Sequence, residues 1–196
     1  GDALVDAGLQ FLDRGGAGLL LLNGGMATRF GGRVKAVVEA IPGRSFLALQ
    51  AGRMASLGRG ASQAAPLLLM NSNATDATTE EHLEQNDRFG MAAGDIFTFV
   101  QSAAPRLRPD GSLFRDERGQ ISVYGPGHGD LVPSLQRSGA LDWLAARGTE
   151  ILLMGNVDNL GAALDPQLLG HFLASGADMM VEVVERLPGE PGGAPC

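Results

Sequence analysis

Apolar positions along the chain group in two ways. Short unbroken runs at 18–22, at 65–72 (APLLLMNS) and at 150–160 (EILLMGNVDNL) predict strands buried on both faces of a parallel sheet. The stretch 95–101 (DIFTFVQ) alternates and is rich in β-formers, which adds another strand. Helical spacing fills the intervals. Leu4, Val5, Leu9 and Leu12 predict a helix that Gly15 and Gly16 stop, and helix propensity resumes over Phe46–Leu57. Thr and Asp caps open a helix at 75–86. Residues 131–148 predict one helix closed by Gly148, and 165–176 another capped helix. Residues 33–43 read as strand or loop, 106–120 as a polar hairpin-like stretch carrying Asp110-Gly111, and 178–187 (DMMVEVVERL) as a last strand.

Strands thus alternate with helices from about residue 18 to residue 187, the pattern of right-handed βαβ units. It predicts an α/β fold whose mostly parallel sheet is covered on both sides. In such sheets ligands bind beyond the carboxyl ends of the strands. Three predicted ends carry small polar residues: Asn23-Gly24-Gly25, Asn71-Ser72 and Asn156-Val157-Asp158-Asn159. Their coincidence carries more than any one of them.

Composition narrows the classes. The chain has 196 residues, 44% of them hydrophobic and 19% charged, which fits a globular domain with a sizeable core. The expected division is one domain over 1–187 and a loop tail over 188–196. The net charge of −7 argues against a nucleic-acid partner, while leaving room for a small anionic ligand held by local cations. No apolar run approaches the ~20 residues that cross a bilayer, so no membrane partner is expected. No charged-then-apolar leader precedes Leu19, which favours the cytoplasm, although a chain starting at Gly1 leaves a processed or trimmed start open. The only cysteine, Cys196, excludes a disulfide framework and a cysteine-based metal site. Trp143, Met179 and Met180 are expected in the core, and His82 and His171 on helix surfaces.

Three stretches carry candidate chemistry. Gly24 and Gly25 end a buried strand, and without Cβ atoms the backbone there can approach a ligand closely and offer N–H groups to phosphate. Arg29, Arg33 and Lys35 follow with matching charge, and Lys35 is the only lysine. The same residues serve equally as an ordinary strand-to-helix turn. The loop is neither G-x-G-x-x-G nor a Walker A sequence. In Tyr124–Asp130 (YGPGHGD), His128 between two glycines is either a solvated loop histidine or a contact to phosphate or a sugar hydroxyl. Asp158, past a buried strand between Asn156 and Asn159, either closes an Asx turn or holds Mg²⁺, which takes one or two carboxylates plus phosphates and water. Ser102 and Ser138 lack a base and a Gly-x-Ser-x-Gly elbow.

Taken in order, LLNGGMATRFGGRVK, PLLLMNSNATDATTEEHL, FVQSAAPRL, GPGHGDLVPSLQRSGALDWLAARGTE and NVDNLGAALDP resemble the UTP:sugar-1-phosphate uridylyltransferases, nearest to the eukaryotic-type UDP-glucose pyrophosphorylase branch. The likeness runs from about residue 18 to residue 187. It implies a Rossmann-like, three-layer nucleotidyltransferase domain. The implied reaction is attack by a sugar 1-phosphate oxygen on the α-phosphorus of UTP, with Mg²⁺ as cofactor and pyrophosphate leaving. UTP and glucose 1-phosphate are the implied partners. Such chemistry needs positioning and charge neutralisation more than a covalent nucleophile.

Carried over by residue, the resemblance sets Leu22, Asn23, Gly24 and Gly25 against uridine and phosphates. Lys35 then meets the UTP phosphates, with Arg29 as a second catalytic cation, and Gln101 bonds uracil. Gly127 lies at the nucleotide, His128 and Asn156 at the sugar phosphate, and Asp158 at Mg²⁺. Relatives specific for N-acetylglucosamine usually carry Gly-Asn-Gly where this chain has Gly127-His128-Gly129, so His128 favours glucose 1-phosphate.

Ala27 replaces a usual glycine, Val34 a usual proline before the lysine, and Pro191 a frequent lysine before Gly192-Gly193. The family's sugar-binding half carries another catalytic lysine beyond these motifs. The alternatives are therefore a piece of a longer enzyme, a catalytically weak UTP- or UDP-sugar-binding module, or a uridylyltransferase for another sugar 1-phosphate such as N-acetylglucosamine 1-phosphate.

Overall fold

The computed structural model describes residues 2–27, 32–183 and 185. Helix α1 spans Asp2–Asp13 and ends at Gly15, whose φ of 69° needs a glycine. Strand β1, Ala17–Asn23, is buried along its whole length. Two small antiparallel pairs follow: β2, Met26–Ala27, with β3, Arg33–Val34, and β4, Glu39–Ile41, with β5, Arg44–Ser45. A 3₁₀ turn at Lys35–Val37 separates the pairs. Helix α2, Phe46–Leu57, starts where Ser45 Oγ accepts the Ala48 N–H. Then come β6, Leu67–Asn71; α3, Asp76–Gln85; β7, Ile96–Val100; β8, Ala104–Pro105; and β9, Val123–Tyr124. Helices α4, Leu131–Arg137, and α5, Ala140–Arg147, precede β10, Ile151–Asn156, and α6, Pro166–Ser175.

Four strands form one parallel sheet in the order β10-β1-β6-β7. The period of two along each strand divides its leucines between faces. Leu19, Leu21, Leu67 and Leu69 pack with Phe11, Leu47, Met54 and Leu169 of α1, α2 and α6. Leu20, Leu22, Leu68 and Met70 pack with Leu135, Ala140 and Leu144 of α4 and α5. This is a three-layer α/β/α arrangement. Each of the four β1 leucines contributes ~1.5–3 kcal/mol by leaving water, which is why the run Leu19–Leu22 reads so clearly as a strand.

Helices α1 and α6 meet backbone to backbone. A methyl on Gly8 would overlap the carbonyl of Pro166, and one on Gly170 that of Leu4.

The chain steps from β1 to β6 to β7 in one direction, then returns to place β10 on the other side of β1. The reversal opens a crevice at the carboxyl ends between β1 and β10. Register aligns those ends: Leu22 faces Asn156, Asn23 faces Asn71, and Asn71 faces Val100.

Several expectations are corrected. The single helix over 131–148 is two, because Gly139 adopts φ 80° and breaks the hydrogen-bond ladder between α4 and α5. The strand over 178–187 is absent among the described residues of that segment. A strand needs a hydrogen-bonded neighbour, and among the described residues β10 pairs with β1 alone. Met179 and Met180 accordingly lie exposed rather than in the core. His82 is only partly exposed. It is half-buried on α3, with Nε2 2.8 Å from Ser45 Oγ and its ring against Phe89, and burial lowers its pKa. His171 is exposed, and Trp143 packs on Phe97 at the edge of the second cluster. The polar stretch 106–120 forms a hairpin-like arm through antiparallel bridges Leu107–Leu113 and Arg115–Ile121. No helix among the described residues is long and apolar enough to cross a membrane.

Candidate active site

A cleft of about 300 Å³ opens at the carboxyl ends of the sheet. It is lined by Leu22, Asn23, Gly24, Gly25, Lys35, Gln101, Gly127, His128, Asn156 and Asp158, and also by Met70 and Gly125. The first ten are residues expected from sequence, drawn together from four separate stretches. Arg29 lies outside the described residues. A larger cleft of about 490 Å³ between β10 and α6 is lined mainly by aliphatic and aromatic side chains such as Leu153, Leu169 and Phe172. It lacks a comparable set of convergent polar groups, so the smaller cleft is the candidate site.

The floor is a chain of buried amides. Asp76, a carboxylate that only accepts, receives a hydrogen bond from Asn71 Nδ2 at 2.8 Å. Asn71 Oδ1 is thereby turned toward β1 and accepts from Asn23 Nδ2 at 2.8 Å, which also donates to Thr79 Oγ1 at 2.8 Å. Asn23 Oδ1 is left buried without a partner among the described residues. The Asn23 side chain therefore ties β1 to β6 and α3, and its backbone carries the chain into Gly24.

Gln101 follows β7, with its backbone N–H held by Asn71 O at 2.9 Å. The residue is 7% exposed. Oε1 accepts the Gly127 N–H at 3.3 Å, and the amide fills the space that a Cβ on Gly24 or Gly125 would need. Gly127 has φ 80° and His128 is exposed in the 3₁₀ turn Gly127–Asp130.

Asp130 fixes that turn beside Gln101. Its carboxylate accepts from Ser134 Oγ at 2.6 Å, from the Ser102 N–H at 2.6 Å, from Ser102 Oγ at 3.1 Å and from Arg137 Nη2 at 3.2 Å. The Ser134 hydroxyl, then the Ser102 bonds and Arg137, hold its carboxyl well below the usual carboxylate range. Nothing in the sequence around Asp130 signals this role, because its partners stand as far as 28 residues away.

On the other wall Lys35 leaves the 3₁₀ turn after β3, its Cε 3.9 Å from the site of a Cβ on Gly25. Its Nζ donates to Asp158 Oδ2 at 2.8 Å, with both side chains about one-third exposed. The turn bearing Asp158 is held from α2, where buried Gln50 donates to Asn159 O at 2.9 Å and Arg53 donates to Leu160 O. Among the described residues no three His, Cys, Asp or Glu side chains gather as a metal cage. One carboxylate at the cleft suits a cation that takes the rest of its ligands from phosphate and water.

A cation, a carboxylate, an amide and a glycine loop meet at this crevice, and comparison with known proteins gives the chain a family. The family model for UTP–glucose-1-phosphate uridylyltransferase matches residues 17–194. The chain belongs to that family. It is 38% identical over 172 residues to the UTP–glucose-1-phosphate uridylyltransferase of Saccharomyces cerevisiae, an alignment covering 86% of this chain and 34% of the yeast protein. A solved UDP-glucose phosphorylase of Trypanosoma brucei superposes with a TM-score of 0.72 at 30% identity, covering 83% of this chain and 35% of that one. A uridine diphosphate N-acetylglucosamine pyrophosphorylase of the same organism gives 0.79 at 25% identity, covering 90% and 38%. The chain thus spans about a third of the length of the curated relatives it matches. These uridylyltransferase relatives share its nucleotidyltransferase-like α/β fold.

Proposed function

We propose that this chain forms the nucleotide-binding part of a uridylyltransferase that moves a uridylyl group from UTP to glucose 1-phosphate. The observation that carries the reading is the convergence, at one switch-point crevice, of Lys35, Asp158, Gln101 and the Gly24–Gly25 loop. Gly24 and Gly25 offer backbone N–H groups to the phosphates, and Lys35 supplies a compact positive charge. Gln101 bonds the uracil edge, and His128 and Asn156 contact the sugar phosphate. Asp158 would hold Mg²⁺, which when bound supplies charge neutralisation to the phosphates. The reaction is in-line attack by the sugar phosphate oxygen with loss of pyrophosphate, so the residues contribute orientation and charge and form no covalent intermediate.

The test is pyrophosphate release from UTP with each of two acceptors. Glucose 1-phosphate is expected to be used in preference to N-acetylglucosamine 1-phosphate, and a clear preference for the latter overturns the acceptor assignment. Similarity to the N-acetylglucosamine enzyme of Trypanosoma brucei supports that second reading. UTP binding without any turnover would identify the 196-residue chain as a binding module.

A further inference from the structure

We infer that Gly125 is a positioning residue for base choice, because it leaves the space in which the Gln101 amide is held with its NH₂ group against the cleft-lining residues Gly24 and Gly125. The inference rests on the reading of Gln101 as the base-facing residue.

The orientation of the amide is set by hydrogen bonding. Gly127 N–H donates to Gln101 Oε1 at 3.3 Å, and turning the amide over would set its NH₂ against that N–H, donor against donor. Among the described residues Gln101 Nε2 donates to no protein group, so it is the free half of the amide. The C4 carbonyl of uracil accepts from such a donor. The 4-amino group of cytosine is itself a donor and leaves both groups unpaired in a buried site.

The position of the amide is set by the two glycines. A methyl on Gly125 would lie 2.5 Å from Gln101 Cδ and 2.8 Å from Oε1, and would overlap Nε2. A methyl on Gly24 would also overlap Nε2. At Gly125 the three nearest atoms all belong to the end of this flexible side chain, so an added methyl displaces the amide first. The φ of Gly125 lies outside the left-handed region, so alanine there carries no backbone strain. The tight approach that makes Gly125 necessary is thus made to Gln101, within the protein.

Titration calorimetry with UTP and CTP, each with Mg²⁺, tests this on the 196-residue chain. The unsubstituted protein is expected to prefer UTP by at least about tenfold. Gly125→Ala should bring the two affinities to within about threefold while the melting temperature stays within a few degrees. Gln101→Ala should do the same, and Gly125→Ala in the Gln101→Ala background should change nothing more, since one acts through the other. Unchanged selectivity in Gln101→Ala overturns the base-facing reading itself. Lost selectivity in Gln101→Ala with unchanged selectivity in Gly125→Ala overturns only the role of Gly125. Should Gly125→Ala not fold, the ¹⁵N side-chain amide signal of Gln101 in the unsubstituted chain decides. A shift with UTP and none with CTP supports the held orientation, and equal shifts contradict it.

Discussion

Lys35 Nζ lies 2.8 Å from Asp158 Oδ2, joining residues 123 positions apart across the mouth of the cleft. The family resemblance implies phosphate as the ligand of one and Mg²⁺ as that of the other. Each neutralises the other in this pair, so under the proposed function nucleotide and metal would exchange it for their own contacts. Substituting either residue should therefore change how the other meets its ligand.

Lys35→Ala should weaken UTP affinity by about tenfold or more, the scale of a hydrogen bond to a charged group. Calorimetry in the presence of Mg²⁺ checks it. Unchanged affinity would make Lys35 a surface lysine with no part in binding.

Asp158→Asn should act in opposite directions with and without metal. In metal-free buffer it releases Lys35 and removes a repelling carboxylate, so UTP should bind about two- to fivefold tighter, the scale of a partly exposed ion pair. With Mg²⁺ present the enhancement that metal gives the unsubstituted chain should disappear. Weaker binding in both buffers would show that the pair is not in competition with the ligands.

Asp130→Asn should loosen the link between the turn at 127–130 and Gln101. The Asp130 pKa is lowered in the folded protein, so its stabilisation is present above its ordinary value near 3.8 and is lost as pH falls below that value. The variant should melt lower by roughly 2–4 °C at neutral pH, and the gap should close below about pH 4. A gap that is constant with pH would remove the carboxylate from the account.

His82 gives an opposite-charge case with the same sign. Burial lowers its pKa below 6.5, so the unfolded chain binds more protons in the range just below that value. Acidification from about pH 7.5 to about pH 5.5 should therefore lower the melting temperature, and His82→Gln should flatten that slope. Melting curves across this range with identical slopes for both proteins would contradict it.

Gly8→Ala and Gly170→Ala should each destabilise by at least ~1–3 kcal/mol, because the methyl meets a backbone carbonyl that cannot turn aside. Denaturant unfolding measures the loss, and a change below ~0.5 kcal/mol would mean that the helices separate easily.

The parts of the fold legible in the sequence are those whose signal is local. Leu19–Leu22 and Leu67–Met70 are strands because every position is buried, and α2 matches its expected bounds because Ser45 caps it. The break at Gly139 was hidden inside a helical apolar pattern that α4 and α5 share, since both pack on the same face. The alternation at 178–183 resembles a strand, yet pairing is a property of the neighbour as well as of the segment.

At the site, the resemblance reached ten of the residues that line the cleft, while Met70, Gly125 and Asp130 escaped it. Gly125 matters for the volume it leaves empty and Asp130 for partners distant in sequence. Neither property is written in residue type and spacing.

The central claim is that the crevice between β1 and β10 is a site for UTP with Mg²⁺. Titration calorimetry of the 196-residue chain with UTP and with ATP, each with Mg²⁺, measures it most directly. The account predicts saturable binding of UTP and at least about tenfold weaker binding of ATP, whose purine lacks the uracil edge that Gln101 meets. Equal affinity for the two nucleotides, or binding of neither, would contradict it.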